Sequence, residues 1–113
     1  MRRTPLRARQ RPPAVNRERR SKLSLKQYGE DAFILWLHRL ECAIPGCHGR
    51  DVEQAHAKSR GAGGTWRDSL PMCRAHHRRQ HAVGLLTFEQ EVGIDLRTLA
   101  AETIRAWEAR GAL

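Results

Sequence analysis

Cys73-Arg-Ala-His76-His77-Arg-Arg-Gln-His81 places four potential metal ligands within nine positions, and half of the chain's six histidines lie in it. A cysteine and a histidine three apart have the spacing of one half of a structural zinc site. His77 and His81, four apart, project from one face of a helix as a second ligand pair. One short helix is therefore expected to serve two metal centres, a zinc-stiffened scaffold and a catalytic ion beside it.

Upstream, Cys42-Ala-Ile-Pro-Gly-Cys47 has the form of a metal knuckle, with Pro45 and Gly46 supplying the tight turn. Cys42, Cys47, Cys73 and His76 make a Cys3His set, and thiolates with one imidazole in tetrahedral arrangement suit Zn2+. All three cysteines are used. Their odd number argues against a self-contained disulfide framework and for a reducing compartment. His76 has the best spacing for the fourth ligand; His77, His81 and His48 are alternatives, and His38 is given no role.

The second set is His56, His77 and His81, with Lys58, Arg60, Arg67, Arg74, Arg78 and Arg79 around it. A strand histidine facing a helix-held cation amid arginines suits attack on a phosphodiester.

A chain of 113 residues with 5% aromatic content has room for one small domain with a thin aliphatic core. Such a core is marginal without a metal or a partner. The net charge of +9 is uneven: residues 1–26 hold ten basic residues against Glu18 alone, and the rest of the chain balances to zero. With Pro5, Pro12 and Pro13 and few large apolar residues, residues 1–26 are expected to be a disordered basic arm. Its partner is expected to be nucleic acid, bound through phosphates by Arg2, Arg3, Arg7, Arg9 and Arg11, with Lys58, Arg60, Arg67 and Arg78 extending the contact. A solubilising tail or an Arg-rich transit peptide is the bland alternative. No apolar h-region follows the basic start, so a cytoplasmic protein is expected.

Residues 27–113 are expected to form the domain, with a metal module over 42–83 and C-terminal helices over 87–110. Asp31–Leu40 reads as a helix, Val52–Ala57 and Ser69–Met72 as short strands. A helix opening near Cys73 runs to about Ala82 and stops at Gly84. Thr87-Phe-Glu-Gln90 has the form of a capping box opening a helix that ends at Gly93. Asp95 caps a last helix with Leu96, Leu99, Ala100, Thr103, Ile104 and Trp107 on one face and Gly111 beyond its end. The fold class is small α+β.

Over residues 42–81, about a third of the chain, these motifs resemble the HNH, or ββα-metal, nuclease superfamily. The resemblance lies in His56, the loop Gly61-Ala-Gly-Gly64, Asp68 five residues before Cys73, and Cys73-Arg-Ala-His76-His77 at the helix start. The run from Gly63 to His81 is similar to small phage and prophage nucleases of the recombination-enhancement type, whose basic arms also resemble residues 1–26.

The resemblance implies a zinc-stabilised ββα-metal module with flanking helices. His56 would be the general base, and Asp68 would stand where the family has an Asn that orients it. His77 and His81 would hold a catalytic Mg2+ or other divalent cation. DNA would be the substrate, and a recombinase or other DNA-processing protein would be a partner in a bacterial or phage setting. One position departs from the pattern: Ala55, before the base, cannot supply the ligand common there. Glu53 lies two residues back on the same side of the strand, roughly 7 Å away, and reaches the ion only if the strand bends.

The leading expectation is a metal-dependent DNA endonuclease with little sequence preference. The alternative is a non-catalytic zinc-knuckle nucleic-acid-binding protein, and a third reading directs the same chemistry to RNA.

Overall fold

In the computed structural model, residues 16–58 and 63–110 are described, with side chains from residue 22 onward. Between Pro13 and Gly29 the sequence has neither proline nor glycine and is rich in Arg, Lys, Gln and Leu. These straight-chain residues lose little rotamer freedom in a helix. They form α1, Asn16–Tyr28. The helix takes up the second half of the segment expected to be irregular; residues 1–15 lie outside the described residues.

Gly29 ends α1 with a φ of +85°, and its N–H bonds the Leu25 carbonyl at 2.9 Å. A Cβ here would lie 3.0 Å from the Phe33 ring and 3.3 Å from Trp66. Glycine is thus what lets the chain turn over these aromatics. Helix α2, Asp31–Leu37, stops short of the expected Leu40. Its end tightens into i→i+3 bonds from Arg39 to Trp36 and from Leu40 to Leu37, which direct the chain toward Cys42. The His38 Nδ1 holds the turn by bonding the Val52 carbonyl at 3.1 Å.

Strands β1, Val52–His56, and β2, Ser69–Cys73, pair antiparallel with Val52 opposite Cys73 and His56 opposite Ser69. A 3-10 turn, Trp66–Asp68, leads into β2. Its capping box is reciprocal: the Thr65 hydroxyl accepts the Arg67 N–H, and the Asp68 carboxylate accepts the Thr65 N–H at 2.9 Å. Every residue of β2 is buried, because helix α5, Leu96–Ala109, packs against it. The Asp95 carboxylate caps α5 at the Arg97 N–H, 2.9 Å away. Leu96, Leu99, Ala100, Thr103, Ile104 and Trp107 are its buried residues.

Helix α3, Arg74–Val83, begins directly after β2 with Cys73 as its N-cap and ends at Gly84. Helix α4, Leu85–Val92, follows at once and ends at Gly93. The expected start of α4 at Thr87 is corrected. Gly84 reverses the chain in one residue and serves both helices, so Thr87 lies inside α4 and its capping box does not form. The result is a small α+β fold with two apolar clusters. One joins Ala55, Leu70, Met72, Phe88, Leu96 and Leu99 beneath the cysteines. The other stacks Phe33, Leu37, Ile104 and Trp107 with Trp36 and Trp66 against them, the Phe33 ring lying edge-on to Trp66 and Trp107 at 5.0 and 5.2 Å.

Candidate metal centres

Cys42 and Cys47 flank the turn after α2, while Cys73 ends β2 and His76 lies in the first turn of α3. Their ligand atoms lie within 4.8 Å of one another, and among the described residues they are the only such group of three or more potential ligands. The Cys47 and Cys73 sulfurs are 3.9 Å apart. His76 Nδ1 is 3.2 Å from the Cys73 sulfur and 3.6 Å from that of Cys42. Zn–S and Zn–N bonds in a tetrahedron set these separations at about 3.8 Å and about 3.5 Å. The group fits one tetrahedral ion.

The backbone builds this pocket. The Cys42 N–H bonds the Gly49 carbonyl at 2.8 Å, and the Ala43 N–H bonds the Pro71 carbonyl at 2.9 Å, tying the knuckle to β2. A Cβ at Gly49 would lie 3.0 Å from the Cys73 Cβ, so glycine is needed for the two halves to meet. Burial pushes the Cys42 thiol up to about 11, against backbone hydrogen bonds from Cys73 and Ile44 that pull it down. A cation bound here would displace the Cys42 proton. The choice among histidines falls on His76. His48 is turned outward to Glu41, its side chain 80% exposed, and His77 and His81 point elsewhere.

His77 and His81 do form a pair, with Nε2 atoms 3.1 Å apart. Two nitrogens at that separation can each lie about 2.1 Å from one ion at roughly 100°. The other nitrogen of His77, Nδ1, donates to the Glu53 carboxylate at 2.8 Å. Arg74 Nε lies 3.4 Å from the second Glu53 oxygen. The His77 hydrogen bond, helped by Arg74, holds the Glu53 carboxyl below its ordinary value. Glu53 therefore meets His77 with no bend in β1, on the side of the ring away from the Nε2 pair.

His56 is on the other face of β1. Its Nε2–H donates to the Gln27 carbonyl at 2.7 Å, and its ring meets Tyr28 edge-on at 5.6 Å. Gln54 donates to the Tyr28 carbonyl at 3.0 Å. Together these side chains satisfy carbonyls at the end of α1 that have no partner within the helix. Three residues along a strand separate His56 from Glu53 by about 10 Å. Asp68, expected to orient His56, gives one carboxylate oxygen to the Thr65 N–H. Ala55 is fully buried in the core.

Of the expected phosphate-binding cations, Lys58 and Arg67 border a cleft of about 250 Å3 together with Arg97 of α5. Arg78 is exposed on α3 beside His77. Arg2, Arg3, Arg7, Arg9, Arg11 and Arg60 lie outside the described residues, as do Gly61, Ala62 and Gly111. Arg74 and Arg79 are taken up by Glu53 and Glu91. Neither Gly49, packed against Cys73, nor Arg97, at the cleft, is marked by the sequence. The period-two spacing of Glu53 from Ala55 did flag that carboxylate. Among the described residues no helix is long and apolar enough to cross a membrane. The chain matches no protein-family model, no curated protein and no solved structure.

Proposed function

We propose that this chain is a zinc-stabilised, metal-dependent endonuclease of HNH type that hydrolyses DNA phosphodiester bonds with little sequence preference. The observation that carries this reading is the His77–His81 pair, its Nε2 atoms 3.1 Å apart and its first member backed by Glu53. Zn2+ on Cys42, Cys47, Cys73 and His76 fixes the start of α3, and with it the direction in which His77 and His81 point. His77 and His81 would hold a Mg2+ or similar cation, which would supply charge stabilisation at the scissile phosphate and the leaving 3′-oxygen. His56 would be the general base that takes the proton of the attacking water. A recombinase or another DNA-processing protein is the partner that would bring such an enzyme to its substrate.

A second reading, a zinc-knuckle nucleic-acid-binding protein without catalysis, draws on two observations. Ala55 is buried where a third ligand would be, and His56 has a structural task at the end of α1. Incubation of zinc-loaded protein with supercoiled plasmid and Mg2+ or Mn2+, beside His56→Ala, separates the two. The endonuclease reading expects relaxed plasmid from wild type and little from the variant. No nicking in either metal, or equal nicking by both proteins, favours the binding module.

A further inference from the structure

The cleft between the end of β1, the 3-10 turn and α5 is lined by Lys58, Arg67, Asp68, Arg97, Ala100 and Ala101. Three cations from three separate elements thus converge on one concavity. Neither Lys58 nor Arg97 makes an ion pair with any described residue, whereas Arg67 is held on the rim by Glu108 at 3.4 Å and by the Trp66 ring. Asp68, the one acid among the described lining residues, has one carboxylate oxygen engaged by the Thr65 N–H. The two alanines of α5 leave the floor shallow and free of side chains that would compete for the cations. Such convergence of unpaired Lys and Arg in a half-open cleft is costly through mutual repulsion unless an anion enters it.

We propose that this cleft holds a phosphodiester group of a nucleic-acid strand, gripped by Lys58, Arg67 and Arg97. It lies beyond the His56 end of the sheet, whereas the His77–His81 pair is set by Glu53 near the other end. The cleft would thus hold the strand at a point separate from the histidine pair. The proposal rests on the nucleic-acid part of the function proposed above and is independent of catalysis.

The test uses the full chain loaded with zinc and binding to a labelled duplex and a labelled single strand, read by fluorescence anisotropy across a salt series. Lys58→Gln/Arg97→Gln is compared with Arg39→Gln/Arg105→Gln, which removes the same charge from exposed positions outside the cleft. All four side chains lack ion pairs among the described residues. Unchanged zinc content and circular dichroism establish that each variant folds.

The cleft variant should lose roughly tenfold or more in affinity at low salt, and its salt slope should fall by about one for each cation removed. The control should change by much less. Equal losses in both variants would overturn the proposal, because net charge alone would account for them. Failure of wild type to bind either oligonucleotide would instead overturn the nucleic-acid reading, and the strand anchor with it. Inorganic phosphate is a separate arm, followed by amide shifts of residues 58, 97 and 101. Saturable shifts with phosphate that an oligonucleotide cannot displace would assign the cleft to a free anion and also overturn the proposal.

Discussion

The Nδ1–H of His77 donates to the Glu53 carboxylate at 2.8 Å, joining the second turn of α3 to the start of β1. That bond settles which nitrogen of His77 carries a lone pair. It is Nε2, and Nε2 faces His81. A carboxylate behind an imidazole fixes its tautomer and raises its basicity as a ligand.

Glu53→Ala should therefore weaken Mn2+ binding at the histidine pair by roughly 10–100-fold, measured by calorimetry on zinc-loaded protein. Zinc content should stay the same, because Glu53 touches none of the cysteines. Unaltered Mn2+ affinity would remove Glu53 from the metal site.

Cys73 contributes a sulfur to one centre and the N-cap of α3, accepting the His76 N–H at 3.5 Å. Cys73→Ala, or stripping with a strong chelator, should abolish the cooperative thermal transition in circular dichroism. Structural zinc is worth on the order of 10 kcal/mol to small domains, comparable with the whole stability of a small domain at about 5–15 kcal/mol. A variant melting like the wild type would refute a structural metal.

Gly49→Ala puts a Cβ 3.0 Å from the Cys73 Cβ. The knuckle must shift by a few tenths of an ångström, which moves Cys47 relative to Cys73. Zinc affinity should fall, read by competition with a chromophoric chelator, while the aromatic cluster at α2 and α5 stays folded. Wild-type affinity would show that the knuckle tolerates the shift.

Trp107 is buried against Phe33 and Trp36 at the far end of α5 from its cap. Trp107→Ala should cost about 3–5 kcal/mol, seen as a lower urea midpoint in zinc-loaded protein. A loss under 1 kcal/mol would mean that the metal module folds without the α2–α5 contact.

The Cys3His set was legible in sequence because knuckle spacing is local and the chain has no spare cysteine. The buried stripe of α5 was legible too, since Leu96 to Trp107 repeat at helical period between a capping Asp95 and the helix end. Legibility failed where long-range partners decide. Nothing near Glu53 in sequence points to His77, and nothing near His56 points to the Gln27 carbonyl. Charge, the prolines before residue 14 and the scarcity of large apolar residues made 1–26 read as a disordered arm, although the helix-forming side chains of residues 16–26 and their lack of proline argue the other way. Asp68 was placed beside His56 by resemblance; Thr65, three residues before it, was the local signal for the capping box that takes one of its carboxylate oxygens.

Anomalous diffraction from crystals of zinc-loaded protein soaked in Mn2+ would show whether Cys73–His81 divides between two metal centres. Data at the zinc edge should place zinc among Cys42, Cys47, Cys73 and His76. Data at the manganese edge should place Mn2+ between the Nε2 atoms of His77 and His81. Zinc bound by His77 or His81 in place of His76, or no manganese at the histidine pair at saturating Mn2+, would contradict the account.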